Sequence, residues 1–97
     1  MRTVELNNDS GIVIVDDDVY ETLTRMGKWY RATLGHVVRG TSSAGKIYMH
    51  RIVAKLSGVD PHRLWVLHRN GNLLDNRRDN LLISPGNKVQ SAVSLVS

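Results

Sequence analysis

The sequence predicts one small α+β domain, in which a small antiparallel sheet is followed by a hairpin with a long polar loop and then a closing helix. Three observations predict it. A length of 97 residues suits a single core. Short β-branched and aromatic runs are separated by Gly, Asn and Asp turns, and two segments, near residues 18–26 and 51–56, carry helical spacing.

Each element has a local cause. Gly11 to Val15 is a β-branched run that reads as a buried strand closed by Asp16-Asp17-Asp18. Asp18 and Glu21 have the spacing of a capping box, Val19, Leu23 and Met26 fall on one helical face, and Gly27 ends that helix. Lys28 to Ala32 and His36 to Arg39 read as strands joined at Leu34-Gly35, and Lys46 to His50 as a third after the turn Gly40 to Gly45. Arg51 to Leu56 has helical composition, with Ile52, Val53 and Leu56 able to face a core, and Ser57-Gly58 ends it. Leu64 to Leu67 is the first strand of the hairpin, Asn70-Gly71-Asn72 a turn, Asp75 to Asn80 a polar loop, and Leu81 to Ser84 the return strand. Ser84-Pro85 has the pattern of an N-cap followed by proline at the first helical position, so a last helix is expected through Val89, Ala92, Val93 and Val96. Trp29 and Trp65 are expected in the core, because a chain without phenylalanine needs large side chains to fill it.

Composition narrows the function classes. The absence of cysteine excludes disulfides and thiolate metal sites. No apolar run approaches the ~18 residues of a membrane span or follows Met1 at signal-peptide length, so an intracellular, cytoplasmic protein without a membrane partner is expected. Formal charge is +4 but uneven, with a net −5 over residues 1–21 and a net +9 over 22–97. The basic part is where a polyanion would sit, and nucleic acid is favoured over a membrane surface because no basic amphipathic helix with a broad apolar face is present.

The string Val66-Leu67-His68-Arg69-Asn70-Gly71-Asn72-Leu73-Leu74-Asp75-Asn76-Arg77-Arg78-Asp79-Asn80-Leu81 resembles the core of HNH endonucleases, the ββα-metal fold common in phages and mobile introns. The family pattern runs Asp-His, Asn-Gly-Asn, Leu-Asp-Asn-Arg and Asn-Leu, with a metal ligand in the helix beyond, and the spacing of twelve from His68 to Asn80 matches it. Trp29-Tyr30, Val37-Val38-Arg39 and Tyr48-Met49-His50-Arg51 are also similar to the family, so the likeness covers most of the chain. It implies one HNH-like domain over 1–97, with a strand and helix region at 1–57 and a ββα-metal core at 58–97. It further implies that His68 is the general base, that Asn80 ties the loop, and that Mg2+ or another divalent cation serves if the protein is active.

The chain departs from the pattern at the metal. Leu67 stands where the family has an aspartate ligand and has no atom that can coordinate a hard cation. The helix ligand position falls on Val89, leaving Asn87 as the nearest candidate metal ligand and Asp60 and His62 as substitutes from the preceding loop. His50 reads as packing between sheet and hairpin, and His36 suggests no role. Arg69, Arg77 and Arg78 lie in or beside the loop that would face a phosphate backbone, while Lys28, Arg31, Arg39 and Lys46 fall at sheet edges. The expectation is an HNH-like phage or mobile-element protein that binds DNA with impaired or lost cleavage. The alternatives are a protein-binding regulator of a host nucleic-acid enzyme or defence system, using the acidic first 21 residues, and an active nicking endonuclease that uses Asn87.

Overall fold

Pairing, rather than composition, makes the first hairpin. The computed structural model describes residues 1–8, 11–41, 45–59, 64–85 and 93–94. Strand β1 (Arg2–Glu5) pairs antiparallel with β2 (Ile12–Val15), from Arg2 opposite Val15 to Glu5 opposite Ile12. Val4, Val13 and Val15 are buried while Ile12 is 51% exposed, so β2 is a one-faced strand rather than the fully buried one its composition suggested. β1 is too short and polar to be marked by sequence alone.

Helix α1 (Asp17–Arg25) buries Val19 and Leu23, with Met26 packed beside them. The capping box expected from Asp18 and Glu21 does not form. The N-cap residue is Asp16, which makes no side-chain cap bond, and both Asp16 and Asp18 turn to Arg78 across the domain. Gly27 (φ 114°) ends the helix in the left-handed region, and the chain then buries Trp29, whose indole N–H donates to the Leu23 carbonyl at 2.8 Å.

A three-stranded antiparallel sheet follows, β3 (Tyr30–Arg31), β4 (Val37–Thr41) and β5 (Gly45–Tyr48), with β4 in the middle. Helix α2 (Met49–Leu56) begins two residues earlier than its composition suggested, so His50 lies on a helix and not on a strand. Met49, His50, Val53 and Ala54 make its buried face, whereas Leu56, expected in the core, is 44% exposed.

β6 (Leu64–His68) and β7 (Leu81–Pro85) form the long-looped hairpin, in register from Leu64 opposite Pro85 to His68 opposite Leu81. The predicted closing helix fails at its expected start and at Val93, while residues 86–92 and 95–97, with Val89, Ala92 and Val96, lie outside the described residues. Val93–Ser94 is a strand, β8, paired with β7 at Leu82 and Ile83, and Ser84-Pro85 is the end of β7 rather than a helix start. The free edge of β7 competes for a β-branched segment, and proline is tolerated where a strand ends. Trp65 is likewise not core. It lies on the face opposite Val66 and is 53% exposed. One apolar cluster joins Val4, Val13, Val15, Leu23, Trp29, Val37, Met49, Val53 and Leu81, so the hairpin shares its core with the N-terminal elements. Among the described residues no helix is long and apolar enough to cross a membrane.

Candidate functional site

The pleat of β6 puts His68 on the same face as Val66, toward the body of the domain. There it meets two imidazoles from other elements. His50 comes from the first turn of α2, and His36 from the turn that enters β4, where Gly35 (φ 99°) reverses the chain. Ring centroids are 5.1 Å apart for His50 and His68, 5.2 Å for His36 and His50, and 6.3 Å for His36 and His68. Tyr48 stands edge-on to both His36 and His50 at 5.8 Å.

The polar loop builds the other wall. Asn72 N–H donates to Asn70 Oδ1 (2.8 Å) and Leu74 N–H to Asn72 Oδ1 (3.1 Å), consecutive side-chain turns that coil the chain after Gly71. Asn80 crosses the loop, its Oδ1 accepting from Asn70 N–H (3.1 Å) and its Nδ2 donating to the Asp75 carbonyl (2.9 Å). The loop is then stitched to β2, with Ile14 N–H on the Leu74 carbonyl and Asn76 N–H on the Ile14 carbonyl, both 2.8 Å. Asn76 is thereby fixed in the interior, where its Oδ1 lies 2.6 Å from His68 Nε2.

That contact sets the chemistry of the ring. An amide oxygen only accepts, so Nε2 carries the proton and Nδ1 keeps the lone pair. Burial is the main force holding the pKa of His68 below its ordinary value, against the Asn76 hydrogen bond, which raises it. Burial also pushes His50 down to about 3, helped by the neighbouring His68, His36 and Arg51. At neutral pH His68 is a neutral imidazole with a basic Nδ1. In 15N-detected NMR of the free protein at pH 7.5, His68 is expected as the Nε2–H tautomer, and Asn76→Ala should return it toward a tautomer mixture. An Nδ1–H form in the wild type would mean that the Asn76 amide donates to the ring instead.

The three arginines singled out from the sequence do not share one role. Arg77 makes a two-pronged ion pair with buried Asp75, Nε to Oδ1 and Nη2 to Oδ2 at 2.8 Å each. Arg78 bonds Asp18 and Ser57 at 2.7 Å, tying the loop to α1 and α2. Both are structural staples. Arg69 stays exposed, its Nε donating to the Asp79 carbonyl at 3.3 Å.

A divalent cation needs oxygen or imidazole donors gathered on one point. Among the described residues no group of three or more His, Asp or Glu side chains is placed to hold a metal ion. Leu67 is paired across the hairpin with Leu82, and Asp60, His62, Asn87 and Val89 lie outside the described residues. Leu67 thus supplies no donor, and the remaining candidate ligands for the cation that the family resemblance implies lie outside the described residues. A groove of about 390 Å³ lies elsewhere, between β1, α1 and Trp29.

No family model, curated protein or solved structure matches this chain. His36 and Asn76 are the site residues that sequence reasoning passed over. Nothing local marks His36, whereas Asn76 sat inside the loop motif and read as turn filler.

Proposed function

We propose that the protein is an HNH-like DNA-binding domain in which phosphodiester cleavage is impaired. One observation carries the reading. From Met26 to Val59 there is no Asp or Glu, while Lys28, Arg31, Arg39, Lys46, Arg51 and Lys55 are all present. This stretch forms the β3–β5 sheet and α2, and it supplies His36 and His50 beside His68. A surface with cations and no carboxylates of its own attracts phosphate, and the attraction is independent of base sequence. The polar loop and its asparagines support HNH ancestry, while Leu67 removes a donor that cation-assisted cleavage would use.

The protein-binding reading depended on the acidic first 21 residues. Several of those acids are already partnered within the chain, Asp16 and Asp18 by Arg78 and Asp17 by the N-terminal amine, which favours DNA.

Two assays test the proposal together. Fluorescence anisotropy with duplex DNA should give an affinity that falls steeply with salt, and supercoiled plasmid with magnesium or manganese should remain unnicked by wild type and His68→Ala alike at high protein excess. Absence of salt-dependent affinity would sink the DNA-binding half. Nicking by the wild type that is lost in His68→Ala would show an active endonuclease.

A further inference from the structure

We propose that the groove between the Gly27-Lys28 segment and the Arg39-Gly40 step of β4 is a phosphate seat, occupied by a backbone phosphodiester when DNA binds. The inference rests on the DNA-binding reading for that occupant, but not for the chemistry of the seat.

The groove holds about 290 Å³ and is lined by Gly27, Lys28, Tyr30, Arg39 and Gly40. This is at or below the small end of ligand pockets, which run from roughly 300 Å³ upward, so it suits one phosphate group better than a whole nucleotide. Among the described residues its charged lining is one lysine and one arginine, with no carboxylate. Arg25, Arg77 and Arg78 each have an acidic partner, at Glu21, Asp75 and Asp18. Lys28 and Arg39 have none among the described residues, although Arg39 is half-buried. A cation taken partly out of water without a counter-charge costs stability, and an anion from outside removes that cost.

The backbone at Gly27 leaves room for the guanidinium. A Cβ at Gly27 would lie 2.2 Å from Arg39 Nη1, so the arginine head rests on bare glycine backbone, at a φ of +114° that side chains rarely adopt. The planar donor fork of a guanidinium can match two phosphate oxygens, and Lys28 adds a point charge beside it. Tyr30, 37% exposed on the same groove, offers a hydroxyl donor and a ring face to the adjoining sugar.

The test compares wild type, Lys28→Gln/Arg39→Gln and, as control, Arg25→Gln, each verified as folded by NMR. Each phosphate contact contributes about 0.9 to the slope of log affinity against log salt. The double variant should therefore lose about 1.8 from that slope if Lys28 and Arg39 neutralise separate phosphates, or about 0.9 if they share one, while the control keeps the wild-type slope. An unchanged slope in the double variant would overturn the seat as a DNA contact. Titration of the wild type with inorganic phosphate, followed through the amides of Gly27, Lys28 and Gly40, separates the two claims. Saturable shifts at those amides in a protein that does not bind DNA would retain the seat for free phosphate and reject the DNA reading. Binding of DNA with no phosphate shifts and an unchanged slope would retain the reading and reject the seat.

Discussion

Replacing Asp75 with alanine is expected to lower unfolding free energy by about 2–3 kcal/mol, one of the two largest effects the site should show. The Asp75 carboxylate is 4% exposed and receives both prongs of Arg77, a weak bond from Asn70 Nδ2 at 3.5 Å and another from Arg77 N–H at 3.4 Å. Removing one member of a buried ion pair costs roughly 3–5 kcal/mol when the survivor stays buried. Arg77 is 38% exposed and can be rehydrated, which places the expectation below that range. For a domain of this size the loss corresponds to a fall in Tm of roughly 10–20 °C. Urea unfolding with linear extrapolation measures it directly. Arg77→Ala should also lower stability, because it strands the carboxylate rather than the guanidinium, and the double variant should lose less than the sum of the two single losses. A loss below about 0.5 kcal/mol in Asp75→Ala would mean that the loop is held by its backbone stitches to β2 alone.

This staple explains which parts of the molecule were legible in the sequence. Turn chemistry is local, so Asn70-Gly71-Asn72, the polar loop and the paired strands on either side could be read from residue types. Helix α1 was equally readable from Val19, Leu23 and the stop at Gly27. The errors occur where a distant partner decides the outcome. Asp18 of the expected capping box is drawn to Arg78, sixty residues away, and its Glu21 turns to Arg25 one helical turn on. Val93 becomes a strand because β7 has a free edge, and β1 exists because β2 needs a neighbour. Trp65 has the composition of a core residue but lies on the wrong face of the pleat.

The candidate site divides in the same way. His68 and Asn80 stand inside one contiguous motif and could be named from it. The histidine cluster could not, because His36, His50 and His68 come from a turn, a helix and a strand with no common spacing, and only the packing of α2 between β4 and β6 brings them together. Arg77 and Arg78 were read as phosphate contacts because exposed-looking loop arginines usually have no visible partner in sequence. Their partners are a carboxylate two residues away and another across the fold.

The cluster should also make the protein acid-sensitive well above the range in which carboxylates titrate. His50 is 8% exposed and faces His36 from the β4 turn, His68 from β6, Tyr48 at its own helix start, and the charge of Arg51. Its neighbours in the cluster are two further imidazoles and the cation of Arg51, all of which oppose a proton placed on it. In the unfolded chain the same imidazole titrates near 6.5, whereas in the folded protein it does so at about 3. The folded pKa is the lower one, so stability is whole above pH 6.5 and is lost as pH falls from there toward 3, because only the unfolded state takes up the proton. The loss is about 1.4 kcal/mol per pH unit in that window, or roughly 2–3 kcal/mol between pH 6.5 and 4.5, and His68, also shifted down, adds to it. Asp75 and Asp18, held below the usual carboxylate range chiefly by hydrogen bonds from Arg77 and Arg78, add their own losses only below about pH 4. Urea unfolding at half-unit steps from pH 7.5 to 4.5 should therefore show a steady decline in the wild type and a much shallower one in His50→Gln. Equal slopes in the two proteins would show that His50 accepts its proton in the folded state, by swinging out of the cluster or by drawing a counter-charge to it.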